Sequence, residues 1–333
     1  NKAHKLTLSG LGENGAVTVS NSTVTGADDV VLTGKTVNVS QSGNTRADWT
    51  AETFTLGKGE SASNNTTGLT NINLTVTKEN TTPTVENDVV LTLSNTAISA
   101  PQINLTPASL TLSGGSSLIS DTTVGIAAAG SVTVQGGSEV TAETGDLNVT
   151  AAEALKVKGG STLEAKTGNL TAKGASVAIG VANDTENTIK ADAGNITIKA
   201  GEDDGRTDAN TVHIQNTDLT ANADGKSITV TGYSVDAAGD LHTKTANMSG
   251  NSVNTAGTIA ADTVNITGTA SASASGTIMA DAVNMSGADS VSASGNITAD
   301  TLNITGISAT GSLTVGGVVN VANALTLQGG SSG

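Results

Sequence analysis

Between residues 257 and 306 the chain writes nearly one row three times: GTIAADTVNITG from Gly257, GTIMADAVNMSG from Gly276 and GNITADTLNITG from Gly295, with heads 19 residues apart. A fixed period of this length means stacked units, each unable to bury its apolar side alone. Within a row, apolar and polar residues alternate, which sends one set of side chains inward and the other outward along a strand. A coil of 19 residues accommodates three short strands and their corners, and successive coils then pair in parallel at about 4.8 Å. The expectation is an all-β parallel β-helix of roughly 15 coils. Its inward residues in these rows are Ile259, Val264 and Ile266, then Ile278, Val283 and Met285, then Ile297, Leu302 and Ile304.

The pattern reaches well beyond those rows. Looser versions begin at Gly130, Gly145, Gly168, Gly194, Gly239 and Gly311, at unequal intervals that mark loops inserted between strands of constant length. A second phrase overlaps the first: LTLSGGSSLIS from Leu110, VTVQGGSEVTA from Val132 and LKVKGGSTLEA from Leu155. Each reads as a strand, a Gly-Gly corner with positive φ, and another strand. LTLQGGSSG from Leu325 starts the phrase again and breaks off, as a truncated solenoid would. Residues 88–333 therefore read as a repetitive β-helix. Residues 1–87 read as a less regular β-rich section, still β-helical, with an insertion near 41–68 that holds Trp49 and Phe54.

Composition limits the alternatives. Trp49, Phe54 and Tyr233 are the only aromatic residues, so the core is thin and built from Val, Ile, Leu and Ala. With 36% hydrophobic residues in clear alternation, disorder is disfavoured. A β-sandwich also uses short alternating strands, but seldom repeats one phrase at constant period. The net charge of -15 argues against nucleic acid, whose binding rests on clustered Lys and Arg. The absence of cysteine excludes a disulfide framework and, with the Thr-rich and Asn-rich composition, suits a bacterial surface protein. No apolar run has the length to cross a bilayer, and Asn1 opens no signal-peptide pattern.

The phrases at Val132–Leu147, Leu155–Leu170 and Gly295–Gly306 resemble the shaft repeats of filamentous-haemagglutinin-type adhesins, exoproteins that Gram-negative bacteria export by two-partner secretion. The resemblance covers about residues 88–333. It implies a right-handed β-helix, an outer-membrane secretion pore as partner of the parent protein, and secretion to or attachment at the cell surface. It further implies attachment to a host-cell receptor or glycan, or to other bacterial cells in a biofilm. The NPNG-type phrase of the amino-terminal secretion domain is not found, so the export route is an inference about the parent protein.

Candidate sites are few. Asn247, Asn265, Asn284 and Asn303 each open an Asn-x-Ser/Thr sequon, and with Asn320 they occupy what the phrase makes one column. Alternating Asn-apolar-Thr strands create sequons automatically, and 16 occur along the chain. The functional alternative is a glycan column, as the resemblance implies, and stacked Asn amides can also pair as a ladder. GEDDGRTDAN from Gly201 gathers Asp203, Asp204 and Asp208 into a weak candidate for Ca²⁺, without the ordered spacing of an EF-hand. No cofactor motif is present. Catalysis would have to come from carboxylate pairs such as Asp192 with Asp203 or Glu139 with Glu143, which are more simply solvated charges. The reading is a non-enzymatic adhesin segment; a polysaccharide lyase or hydrolase on a β-helix, and the stalk of a contact-dependent toxin-delivery protein, are the alternatives.

Overall fold

The computed structural model describes residues 4–57, 65–202, 207–308 and 311–329. Among them every regular element is a strand, and the pairings are parallel. The fold is a right-handed parallel β-helix of about 14 turns. Contacts divide the chain into two compact units, 1–168 and 169–333.

In the first unit one ladder runs Val17, Val37, Thr67, Leu91, Leu110, Val132 and Leu155, with each residue opposite the next. All seven are buried, and the side chains two positions on, from Val39 to Val157, stack the same way. Turn length varies widely along this column while the register of inward residues holds, because loops at the corners absorb the difference. Within 41–68, the described residues include Ala47–Gly57, which pairs with Val24–Thr33 on one side and Ile72–Val76 on the other. Trp49 and Phe54 are fully buried there, in line with Val24 and Val30. The Trp49 indole donates to the Ser22 carbonyl at 2.8 Å, which meets the need of its one polar atom.

The GGS phrase forms the corner that its glycines require. Gly114 and Gly115, Gly136 and Gly137, and Gly159 and Gly160 all have φ between 62° and 75°. They stack closely: the Gly115 amide donates to the Gly136 carbonyl at 2.8 Å and the Gly137 amide to that of Gly159 at 2.7 Å. A Cβ on Gly159 would lie 2.8 Å from the Gly136 nitrogen. Asn71 and Asn95 take left-handed corner positions in earlier turns, a conformation asparagine tolerates better than most residues. The serine that follows the glycines has its own task, which the phrase alone does not announce. Ser116, Ser138 and Ser161 are fully buried and donate to the carbonyls of Ser113, Gln135 and Lys158 at 2.7–2.8 Å. The Ser116 and Ser161 hydroxyls also accept the backbone N–H of Thr96 and Ser138, so no buried polar group at these corners is wasted.

In the second unit one inward column runs Leu170, Ile196, Ile228, Ala246, Val264, Val283 and Leu302, all buried, and Leu325 of the last turn continues its register but is exposed. All nine inward residues expected in the repeated rows are buried, none above 1% exposure. Each such aliphatic side chain removed from water contributes roughly 1.5–3 kcal/mol, so a thin core suffices when every turn adds several.

Candidate functional site

With the apolar residues inward, the intervening residues of five successive strands form an ordered outer face. From one turn to the next, Ser227, Thr245, Thr263, Ala282 and Thr301 make a first column. Thr229, Asn247, Asn265, Asn284 and Asn303 make the second, and Thr231, Ser249, Thr267, Ser286 and Thr305 the third. No member is charged.

The central column is a side-chain amide ladder. The Nδ2 group of Asn265 donates to Oδ1 of Asn247 at 2.8 Å, that of Asn284 to Asn265 at 2.8 Å, and that of Asn303 to Asn284 at 2.9 Å. The strand spacing of about 4.8 Å suits one amide reaching the next. Asn320 does not belong to this column: it pairs with Thr298, while Asn303 meets Thr326. The last turn runs Val319–Gly329 with a different distribution of residues between its corner and strand, so matching the local phrase leads to the wrong rung. At the other end the ladder stops at Thr229, whose short side chain carries no amide. A separate string joins Asn169 to Asn195 at 3.2 Å and Asn195 Oδ1 to the Ser227 amide at 2.9 Å.

Along one edge of the face lies a charged rim. The carbonyls of Lys226, Lys244 and Asp262 accept from Thr245, Thr263 and Ala282 of the following turn, so these residues occupy successive levels. Asp281 and Asp300 continue the series, bracketed by the pairs Ala280–Ala299 and Ala282–Thr301. The order is therefore two lysines followed by three aspartates. Lys244 reaches Asp262 at 2.8 Å and Asp224 at 3.8 Å. Its pKa is held above the ordinary 10.5, first by the hydrogen bond to Asp262 and then by the negative charge of the same group. Beyond the rim, Met279, Asp281, Thr298, Asp300 and Asn320 line an open groove of about 770 Å³.

The carboxylates considered for chemistry are engaged elsewhere. Glu143 takes Lys166 through both oxygens at 2.7 and 2.8 Å, and Glu139 accepts from the Thr141 hydroxyl at 2.7 Å. Asp192 sits 2.8 Å from Lys190. Asp203 and Asp204 lie outside the described residues; Asp208 is exposed, and Glu202 of the same loop contacts Lys173 at 2.6 Å. No group of three metal-binding side chains occurs among the described residues. One pairing escapes sequence reasoning: His213 Nδ1 lies 3.1 Å from Asp236 Oδ2, and Asn254 donates to the other oxygen of Asp236 at 2.9 Å. These three are opposite one another on successive turns, and only the register reveals it. No family model, curated protein or solved structure matches this chain.

Proposed function

We propose that this chain is a segment of a secreted or surface-attached fibrous adhesin of a Gram-negative bacterium, acting as a stiff stalk or binding surface and not as an enzyme. The observation that carries the reading is the outer face of the second unit, where uncharged Ser, Thr and Asn, with the single exception of Ala282, repeat in register over five turns. Parallel ladders resist extension because many backbone hydrogen bonds share a load, and nearest-neighbour stacking distributes stability along the turns. The motif resemblance at Val132–Leu147 and Leu155–Leu170 adds the surface location, the outer-membrane pore for export of the parent protein, and a receptor, glycan or neighbouring cell as the partner. The engaged state of Glu139, Glu143 and Asp192 supports the non-catalytic half of the proposal.

Beads coated with the purified chain are expected to attach saturably to host epithelial cells or to bacterial cells, with soluble chain competing. Absence of attachment on both, or release of reducing ends from a polysaccharide panel, overturns the reading. On the same proposal hexose modification falls on some of Asn247, Asn265, Asn284 and Asn303 in the native host. Asn247 is the preferred acceptor, since the other three nitrogens already donate along the ladder. Peptide mass spectrometry of native material reads this directly: bare asparagine at all four positions leaves the ladder as their sole role.

A further inference from the structure

The charged rim has a direction. Lys226 and Lys244 stand at one end, Asp281 and Asp300 at the other, and Asp262, neutralised by Lys244, lies midway. Among the described residues Lys226, Asp281 and Asp300 have no ion pair within the molecule. Such an order is complementary to its own reverse. A two-fold axis parallel to the strands, at the level of Asp262, reverses the stacking direction and keeps the rim on the same side. Lys244 then faces the partner's Asp281, and Lys226 faces the partner's Asp300. A two-fold axis parallel to the stacking direction lays the rim over the opposite edge, where the corner after Gly287 carries Asp289 and no lysine, and pairs none of these groups.

We propose that a second copy of this chain docks on the charge-free face in this antiparallel arrangement. Two chains of net charge -15 repel each other, and on this face the three columns bring no charge into the contact; the like charges that meet on the axis are the two copies of Asp262, each already paired with its own Lys244. The amide ladder lowers the cost of contact, because each interior asparagine already has one donor and one acceptor satisfied before water leaves. Five turns at about 4.8 Å and strands of about six residues at 3.3 Å give roughly 480 Å² per copy. That is below the ~800 Å² per partner of a standard stable interface, so the dimer is weak, dissociating in the ~0.1–1 mM range. Many copies on facing surfaces would gain avidity from such a contact. The proposal does not depend on the adhesive reading, since it rests on the face and rim alone.

Sedimentation velocity of the full chain tests it. The unmodified protein should dimerise at about 1 mM in about 0.05 M salt and weaken about tenfold in about 0.5 M salt, because the rim pairs are screened. Lys226→Asp and Asp300→Lys each set like charges opposite one another twice per dimer, and each should weaken self-association about tenfold. An equimolar mixture of the two variants restores both pairs and should return to within about threefold of the unmodified affinity. Misfolding of a variant cannot produce that rescue, and the salt dependence of the unmodified chain stands without any variant. A monomer at all concentrations, a salt-independent dimer, or a mixture no tighter than its components overturns the proposal.

Discussion

Asn265 donates its side-chain amide to Asn247 one turn away at 2.8 Å and accepts the amide of Asn284 at the same distance. The position of an asparagine in this ladder decides what its loss costs. Asn284→Asp removes the donor to Asn265 and places a charge among half-buried amides, which should lower stability by about 1–2 kcal/mol. Asn247→Asp retains the oxygen that accepts from Asn265 and should cost less than about 0.5 kcal/mol. Equal losses in denaturant unfolding would mean that the amides do not work as a directional chain.

Val283 is fully buried between Val264 and Leu302 on the neighbouring turns. Val283→Asp should lose about 3–5 kcal/mol, since an unpaired carboxylate would stand in a core with no polar partner of its own. Thermal unfolding monitored by circular dichroism checks this, and an unchanged midpoint would place the strand elsewhere.

Two corner glycines separate backbone strain from crowding. Gly115 has φ of 75° and open space within 4 Å of where a Cβ would sit, whereas a Cβ at Gly159, with φ of 71°, meets the Gly136 nitrogen at 2.8 Å. Gly115→Ala should cost about 1–2 kcal/mol from the left-handed conformation alone. Gly159→Ala should cost clearly more, because the stacked corner below it cannot yield without moving backbone. Chemical denaturation of both variants measures the difference.

Lys166 has its pKa held above the ordinary 10.5, chiefly by the hydrogen bond to Glu143 and further by the charges of Glu143, Glu164 and Glu139. A raised folded-state value means that the pair's contribution is complete below the unfolded value and is lost as pH rises through the folded one. Titration of the lysine Nζ by NMR should therefore show a midpoint above 10.5 that returns towards 10.5 in Glu143→Gln. An unshifted midpoint in the unmodified chain would contradict the pairing.

Much of the fold is legible in the sequence because alternation and a near-constant period are direct consequences of strand geometry. Val264, Val283 and Leu302 occupy the inward stack that their rows imply. The Gly-Gly corners are equally plain, since few residues accept positive φ twice in succession. The buried Ser116, Ser138 and Ser161 are not, because serine beside glycine reads as solvent-exposed turn until the corner is seen to be stacked. Asn320 falls on a different rung from its phrase, and the His213–Asp236 contact is hidden, for one reason. Loops of unequal length shift the rung on which a local phrase lands, and local phrase carries no information about which turn lies opposite. The charged rim is of the same kind, built from single residues 18 or 19 positions apart that only cross-turn pairing brings into line.

The amide ladder, the outer face and the proposed dimer all rest on the cross-turn register, and the absence of native cysteine makes that register directly measurable. Thr267 lies opposite Ser286, and neighbouring strands at about 4.8 Å fall within the Cα separation that a disulfide spans. Mild oxidation of a chain carrying Thr267→Cys and Ser286→Cys, followed by peptide mass spectrometry, should give an intramolecular disulfide in high yield. The combination of Thr267→Cys with Val283→Cys, displaced along the strand and facing inward, should give almost none. Comparable yields from the two pairs, or cross-linking of the displaced pair alone, would contradict the register.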